Sequence, residues 1–311
     1  MRLRYVRGRR HEAGRVIAAR ASNTARVIAA GTLLLASDRR TQSLVAPGAA
    51  ALCGRLLSAN RVDRWLAGSA VHPLTRALWR LLEKLTLPGI IAHYWHRKRW
   101  IENRCRAAIG EGFSRVIVLG AGFDTLAYRL ATELPHLEVI EIDHPATQRA
   151  KTLALQAGAV AQPASLRYVA CDLGSEAIPV ELLQGSTPTL FILEGLLMYL
   201  PPAAIDRLFS ALSGAGHVCR TSPRMRIVFS FMSIWPDGRS GFRPHSRLVA
   251  RWLAWRKEPF TWALEPDAMP YFLAIHRFRL LEMARTREFT AARDDVRPSL
   301  QGENLVVCEP A

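Results

Sequence analysis

A chain of 311 residues that is 50% apolar and 22% charged carries enough hydrophobic material for a full core, which excludes a mainly disordered polymer. Its length suits one large domain or two small ones. Lysine and arginine number 42 against 26 acidic residues, a net charge of +16, yet only four of the cations are lysines (Lys84, Lys98, Lys151, Lys257). The excess is therefore arginine, which reads as a GC-rich coding bias as readily as a surface for polyanions. The five cysteines, Cys53, Cys105, Cys171, Cys219 and Cys308, lie far apart with no C-x-x-C pair and no zinc-like spacing. They read as free thiols in a reducing, cytoplasmic compartment, with no metal site. No apolar run reaches the roughly 18 residues of a membrane span, so no membrane partner is expected. Residues 27–36 resemble the apolar part of a signal peptide, but Gly31 and Thr32 interrupt them and they are read as a buried helix.

In chain order, residues 1–20 read as a basic tail, with apolar periodicity beginning only near Val16. Residues 21–110 show helical spacing throughout and form an expected helical cap, punctuated by Pro47-Gly48, Pro73 and Pro88-Gly89. Its last helix is predicted over 91–109. From 111 to 311 the rhythm changes. Strands are predicted at 115–119, 137–142, 166–170, 189–193 and 226–231, separated by helices near 125–134, 145–156, 176–184 and 202–212. Two further strands, 278–283 and 304–308, are too close for a crossover helix and are expected to pair antiparallel. The predicted fold is α/β, a Rossmann-like seven-stranded mostly parallel sheet with helices on both faces and an N-terminal helical cap. Residues 233–265, which hold Trp235, Phe242, Trp252, Trp255, Phe260 and Trp262, are expected to contribute to a lid over an acceptor.

The first strand runs into Leu119-Gly-Ala-Gly-Phe-Asp-Thr125, where Gly120 and Gly122 allow a sharp turn close to a ligand. A dinucleotide fingerprint needs a third glycine where Phe123 or Thr125 stands, and Asp124 in the first helical turn would repel a pyrophosphate. The second strand ends at Asp143, 21 residues beyond Gly122, where this fold places an acid for a ribose diol. The third ends at Asp172, able to receive an adenine amino group. The fourth runs into Glu194 among apolar neighbours, which is costly unless it meets a cation or donor. Acids at successive strand ends beside a glycine turn describe a site for an adenosine bearing a positive group and no phosphate. S-adenosylmethionine fits that description and nicotinamide dinucleotides fit it poorly.

The chain also resembles the leucine carboxyl methyltransferase-like class of S-adenosylmethionine-dependent methyltransferases over roughly residues 20–309. The resemblance rests on Arg97-Lys-Arg-Trp-Ile-Glu102, the glycine turn with Tyr128-Arg129-Leu130, Glu141-Ile-Asp-His-Pro145 with Lys151, and Glu194-Gly-Leu-Leu-Met-Tyr-Leu-Pro201. Glu258-Pro259-Phe260 is similar to the family's Gly-Glu-Pro-Trp stretch. The resemblance implies that Gly120, Ala121 and Gly122 border the methionine part of the cofactor and that Asp143, with His144 beside it, takes the ribose. It implies that Asp172 and Leu173 frame the adenine, that Arg97 pairs the cofactor carboxylate, and that Glu194 and Gly195 lie near its amino group and sulfonium. Arg99 is the rival for the Arg97 role. The chain departs from the family at Leu126, Gly31 and Ala46, where Arg, Arg and Asp are common.

Methyl transfer from a sulfonium is an in-line displacement in which the protein mainly orients the nucleophile. A carboxylate acceptor needs no base; a hydroxyl needs one in reach, and His144, His93 and His245 are the candidates. Tyr199 is expected beside the acceptor. The resulting expectation is an O-methyltransferase for a carboxylate or hydroxyl of a small, hydrophobic or aromatic molecule in bacterial specialised metabolism, with S-adenosylhomocysteine as product. Alternatives are methyl esterification of a protein C-terminal carboxylate, a nucleic-acid-binding or RNA-modifying protein suggested by the net charge, and a catalytically dead scaffold. No base-stacking motif favours nucleic acid.

Overall fold

The computed structural model describes residues 23–215, 224–243, 260–290 and 300–311. The basic tail, Cys219, His245, Trp252, Trp255 and the Glu258-Pro259 pair lie outside them. Helices come first: α1 (Asn23–Ala36), α2 (Ala49–Leu56), α3 (Arg61–Val71), α4 (Pro73–Thr86) and the long α5 (Ile90–Gly110). Each break has a local cause. Gly48 (φ 76°) starts α2, and Gly89 (φ 83°) starts α5 after Pro88. Asn60 caps α3 by accepting from the Asp63 N–H, and Pro73 occupies the first turn of α4. Gly31 of α1 faces α5 so closely that a Cβ there would stand 3.2 Å from Ile91.

The sheet follows: β1 (Arg115–Leu119), α6 (Leu126–Glu133), β2 (Glu138–Asp143), α7 (Pro145–Ala157), β3 (Leu166–Ala170), β4 (Thr189–Leu193), α8 (Pro202–Ala215), β5 (Met225–Met232), α9 (Met269–Ile275), β6 (Phe278–Arg285), α10 (Thr286–Thr290) and β7 (Glu303–Pro310). Its order is β3-β2-β1-β4-β5-β7-β6, with β7 antiparallel to both neighbours and β1 to β5 parallel. The expected antiparallel pair is present, with β7 inserted between β5 and β6. The strands alternate their side chains between two apolar layers. Ile117, Leu119, Ile140, Ile142, Phe191 and Phe229 pack on one face, and Val116, Val118, Val139, Ile192 and Val228 on the other. Burial on both faces explains why these strands read as unbroken apolar runs.

The strand order reverses between β1 and β4, so their carboxyl ends border a crevice, the position where open α/β sheets bind ligands. One expected helix shrinks. Residues 176–184 hold only a single 3-10 turn, Val180–Leu182, which Pro179 precedes and Leu183 closes. The short α9 and α10 were not anticipated. No helix among the described residues is long and apolar enough to cross a membrane.

Candidate functional site

The glycine turn after β1 is left-handed at both glycines, with φ 68° at Gly120 and 54° at Gly122. A Cβ on Gly120 would stand 2.7 Å from Leu196 Cδ1, and one on Gly122 would stand 3.2 Å from Ala25 of α1. The turn is pinned from β2. Asp143 accepts from the Gly122 N–H at 2.5 Å and from the His144 N–H at 2.6 Å. Burial pushes the Asp143 carboxyl above its usual range, while those two donors pull it down. From behind, Arg129 of α6 donates to Glu102 of α5 at 2.6 and 2.9 Å, fastening the turn's helix to the cap.

The carboxyl end of β4 receives a cluster of charges from α5. Arg97 donates to Glu194 at 2.8 and 3.1 Å and to Glu303 at 2.8 Å, and Glu303 also holds His93 Nε2 at 2.7 Å. Arg97 packs over Gly195, whose left-handed backbone (φ 62°) favours glycine. The Gly195 N–H in turn donates to Ser230. Lys98 bridges Asp124 at 2.7 Å and Glu194 at 2.9 Å. Lys151 of α7 bonds both Glu141 oxygens and the Asp124 carbonyl at 2.6 to 2.7 Å.

The electrostatics follow from burial and pairing. Burial alone would raise Glu303 and Asp124. The Arg97 charge and the hydrogen bond from His93 instead hold Glu303 down at about 2, and Lys98 and Lys151 hold Asp124 well below the carboxylate range. Glu141 goes the other way, because burial outweighs Lys151 and pushes it up to about 7. Leaving aside Glu141, which burial keeps only partly ionised near neutral pH, four carboxylates (Asp124, Asp143, Glu194, Glu303) meet three cations (Arg97, Lys98, Lys151) at the strand ends. The excess is negative and suits a ligand with net positive charge.

The expected residues fall as follows. Arg97, Gly120, Ala121, Gly122, Asp143, Glu194 and Gly195 converge on the crevice. Arg99 points away: two residues along a helix is a turn of about 200°, and Arg99 has no ion pair among the described residues. Asp172, after β3, folds its carboxylate into its own turn, accepting from the Gly174 N–H and the Ser175 hydroxyl. Leu173 lines a small cavity with Ile178, Ala204 and Leu208. His144 caps α7, its Nδ1 accepting from the Ala146 N–H at 3.2 Å. In that bond Nδ1 is the acceptor, so its lone pair is engaged by the N-terminus of α7. His93 is fully buried against Glu303 and faces no acceptor.

Tyr199 packs on Phe260, ring centroids 5.8 Å apart, in an apolar group with Met198, Met232 and Phe242. Trp262 lies elsewhere, fully buried against Phe231 and Phe272 in the main core. The sequence reading missed Lys98 and Glu303 as site members. A signal for Lys98 existed: two of four lysines in an arginine-rich chain, Lys98 and Lys151, are buried here, where a compact ammonium reaches two acceptors that a planar fork would not.

A model of the leucine carboxyl methyltransferase family matches residues 15–213. A provisionally named S-adenosyl-L-methionine-dependent methyltransferase of Mycobacterium avium (strain 104) is 36% identical over 165 residues, covering 51% of this chain and 50% of the relative. Another so named, from Mycolicibacterium smegmatis, is 40% identical over 126 residues, covering 39% and 41%. The chain spans about half the length of the curated relatives it matches. A solved structure, provisionally described as a methyltransferase of Thermobifida fusca YX, has TM-score 0.48 and 20% identity, covering 83% of this chain and 94% of that one.

Proposed function

The chain belongs to the leucine carboxyl methyltransferase family, and on that footing we propose that it is an S-adenosylmethionine-dependent O-methyltransferase whose acceptor is the carboxylate of a small hydrophobic molecule. The observation that carries the cofactor reading is the negative excess around a glycine turn pinned by Asp143. S-adenosylmethionine, with sulfonium, ammonium and carboxylate, has a net positive charge, whereas a dinucleotide would bring anions. The residues present fit it. Asp143 has lone pairs left for ribose hydroxyls. Glu194 can receive the ammonium while Arg97 or Lys98 turns to the carboxylate, and Asp172, which follows β3, would have to leave its own turn to receive the adenine amino group. Leu196, over Gly120, is the flexible side chain that would yield.

When bound, the cofactor supplies an electrophilic methyl on a positive sulfur. The protein's part is to hold a nucleophile in line and keep water away. The carboxylate preference rests on the described histidines. A hydroxyl acceptor needs a base within reach; His93 and His144 are both engaged elsewhere, and His245 lies outside the described residues. A carboxylate is already ionised near neutral pH and needs only orientation. Tyr199 and Phe260, with Met198 and Phe242, offer an apolar wall for its hydrophobic part.

The test is calorimetric titration of the protein with S-adenosylmethionine and, separately, NAD. Incubation with methyl-labelled cofactor and matched sets of hydrophobic acids and phenols then follows. Binding of S-adenosylmethionine alone and label recovered in base-labile esters support the proposal. No binding overturns the cofactor, and base-stable ethers overturn the acceptor class.

A further inference from the structure

Helix α4 is mounted the wrong way round for a helix on a protein surface. Leu74, Leu78, Leu81, Leu82 and Leu85 fall within an arc of about 100° at 100° per residue, and all are exposed, Leu74 by 79% and Leu85 by 63%. None of the residues of α4 is buried. The polar side faces the protein instead. Arg76 donates to the Ser37 carbonyl at 2.6 Å, Arg80 pairs with Asp38, and Glu83 accepts from the Ile91 N–H at 3.0 Å. The neighbouring α3 exposes Trp65 by 71%. Leucines turned outward over a whole helix expose far more apolar surface than scattered single residues do.

The charges around this face have one sign. The acids of the two helices turn inward: Asp63 is buried against Arg26, and Glu83 is bonded to α5. The exposed ionic residues of α3 and α4 are Arg61, Arg64, Lys84 and, beside its partner Asp38, Arg80, all cations. A twofold contact with a second copy would bring these like charges together. An apolar stripe with a tryptophan nearby and a cationic border is the pattern of a helix lying in the boundary between headgroups and acyl chains.

We propose that the α3–α4 face docks on an anionic lipid bilayer, with the leucine stripe of α4 sunk into the interface and Arg61, Arg64 and Lys84 among the headgroups. The contact is peripheral, since no described helix is long and apolar enough to cross a membrane. It places the cap, and not the sheet, against the lipid. The inference is independent of the methyltransferase reading: a protein that binds no S-adenosylmethionine can still dock this way.

The test is co-sedimentation of the full chain with vesicles of phosphatidylglycerol mixed with phosphatidylcholine, against phosphatidylcholine alone. The Leu78→Ser, Leu82→Ser double variant is run beside it. Both leucines are solvent-exposed, so the variant should keep its fold, checked by an unchanged thermal transition. The expected result is capture by anionic vesicles that weakens with salt, and a loss of at least roughly tenfold in the variant, since burying a leucine is worth more than a factor of ten. Three results overturn the proposal. One is no capture of the unaltered chain. Another is capture that the leucine changes leave untouched, which would assign it to the arginine-rich residues 1–20. The last is a dimer that the leucine changes dissociate, with no vesicle binding, which would assign the face to a second copy.

Discussion

Arg97 grips Glu194 through two hydrogen bonds from one side of its guanidinium, at 2.8 and 3.1 Å, and reserves the other side for Glu303. One side chain of α5 therefore ties the carboxyl end of β4 to the start of β7. With Lys98 beside it, it prevents Glu194 from being an uncompensated buried charge. The same pairing that makes the fold tolerable presents a carboxylate at the crevice, where a cationic ligand group would meet it.

Replacing Arg97 by Ala should be costly to stability. Glu303 would keep only His93, and Glu194 only Lys98, inside a buried environment. Breaking one side of such a pair typically costs about 3–5 kcal/mol. Urea unfolding of Arg97→Ala and of Arg99→Ala should differ by most of that amount, because Arg99 has no ion pair among the described residues. Equal, small losses in the two variants would show that the buried cluster is not cohesive.

Asp143→Ala should damage both folding and binding. Two backbone N–H groups lose their acceptor, a loss of about 1–3 kcal/mol for buried donors. The ribose would lose a charged partner, which at about 1.5–3 kcal/mol corresponds to roughly tenfold or more in affinity. Calorimetry with S-adenosylmethionine below the variant's melting onset reads the affinity. Unchanged binding would remove Asp143 from the ribose role.

The strands and the glycine turn were legible because their signals are local. Residues 115–119 and 189–193 are apolar runs bounded by turn residues, and 145–156 opens with His144-Pro145, a helix start. Asp143 stood in register with Gly122 for the same reason, one βα unit apart. The charge cluster was not legible to the same degree. Arg97 and Glu303 are 206 residues apart, and only the insertion of β7 between β5 and β6 brings them together. Nothing in periodicity announces that an acid at a strand's first residue will be buried. The outward leucines of α4 misled in the opposite sense: an amphipathic repeat predicts a helix but assumes that its apolar side faces the core.

Gly120→Ala probes the turn directly. The left-handed backbone at φ 68° would cost a residue with a Cβ about 1–2 kcal/mol, and the new methyl would meet Leu196 Cδ1 at 2.7 Å. Adding Leu196→Ala should recover the contact part and leave the backbone part. Thermal unfolding of the single and double variants separates the two. A single variant as stable as the unaltered chain would show that the turn does not hold this conformation.

Acid should weaken the protein through Glu303. Its folded carboxyl titrates at about 2, below the usual carboxylate value of 4.5, because Arg97 and His93 outweigh its burial. A depressed acid contributes stability that is complete above its unfolded pKa and disappears as pH falls toward its folded one. Stability should therefore drop between about pH 4.5 and pH 2, with Asp124, held down by Lys98, adding to the same slope. Glu303→Gln should start less stable near neutral pH and lose less on acidification, as seen in urea midpoints across that range. Equal acid slopes for the two proteins would mean that Glu303 does not carry its proposed charge in the folded state.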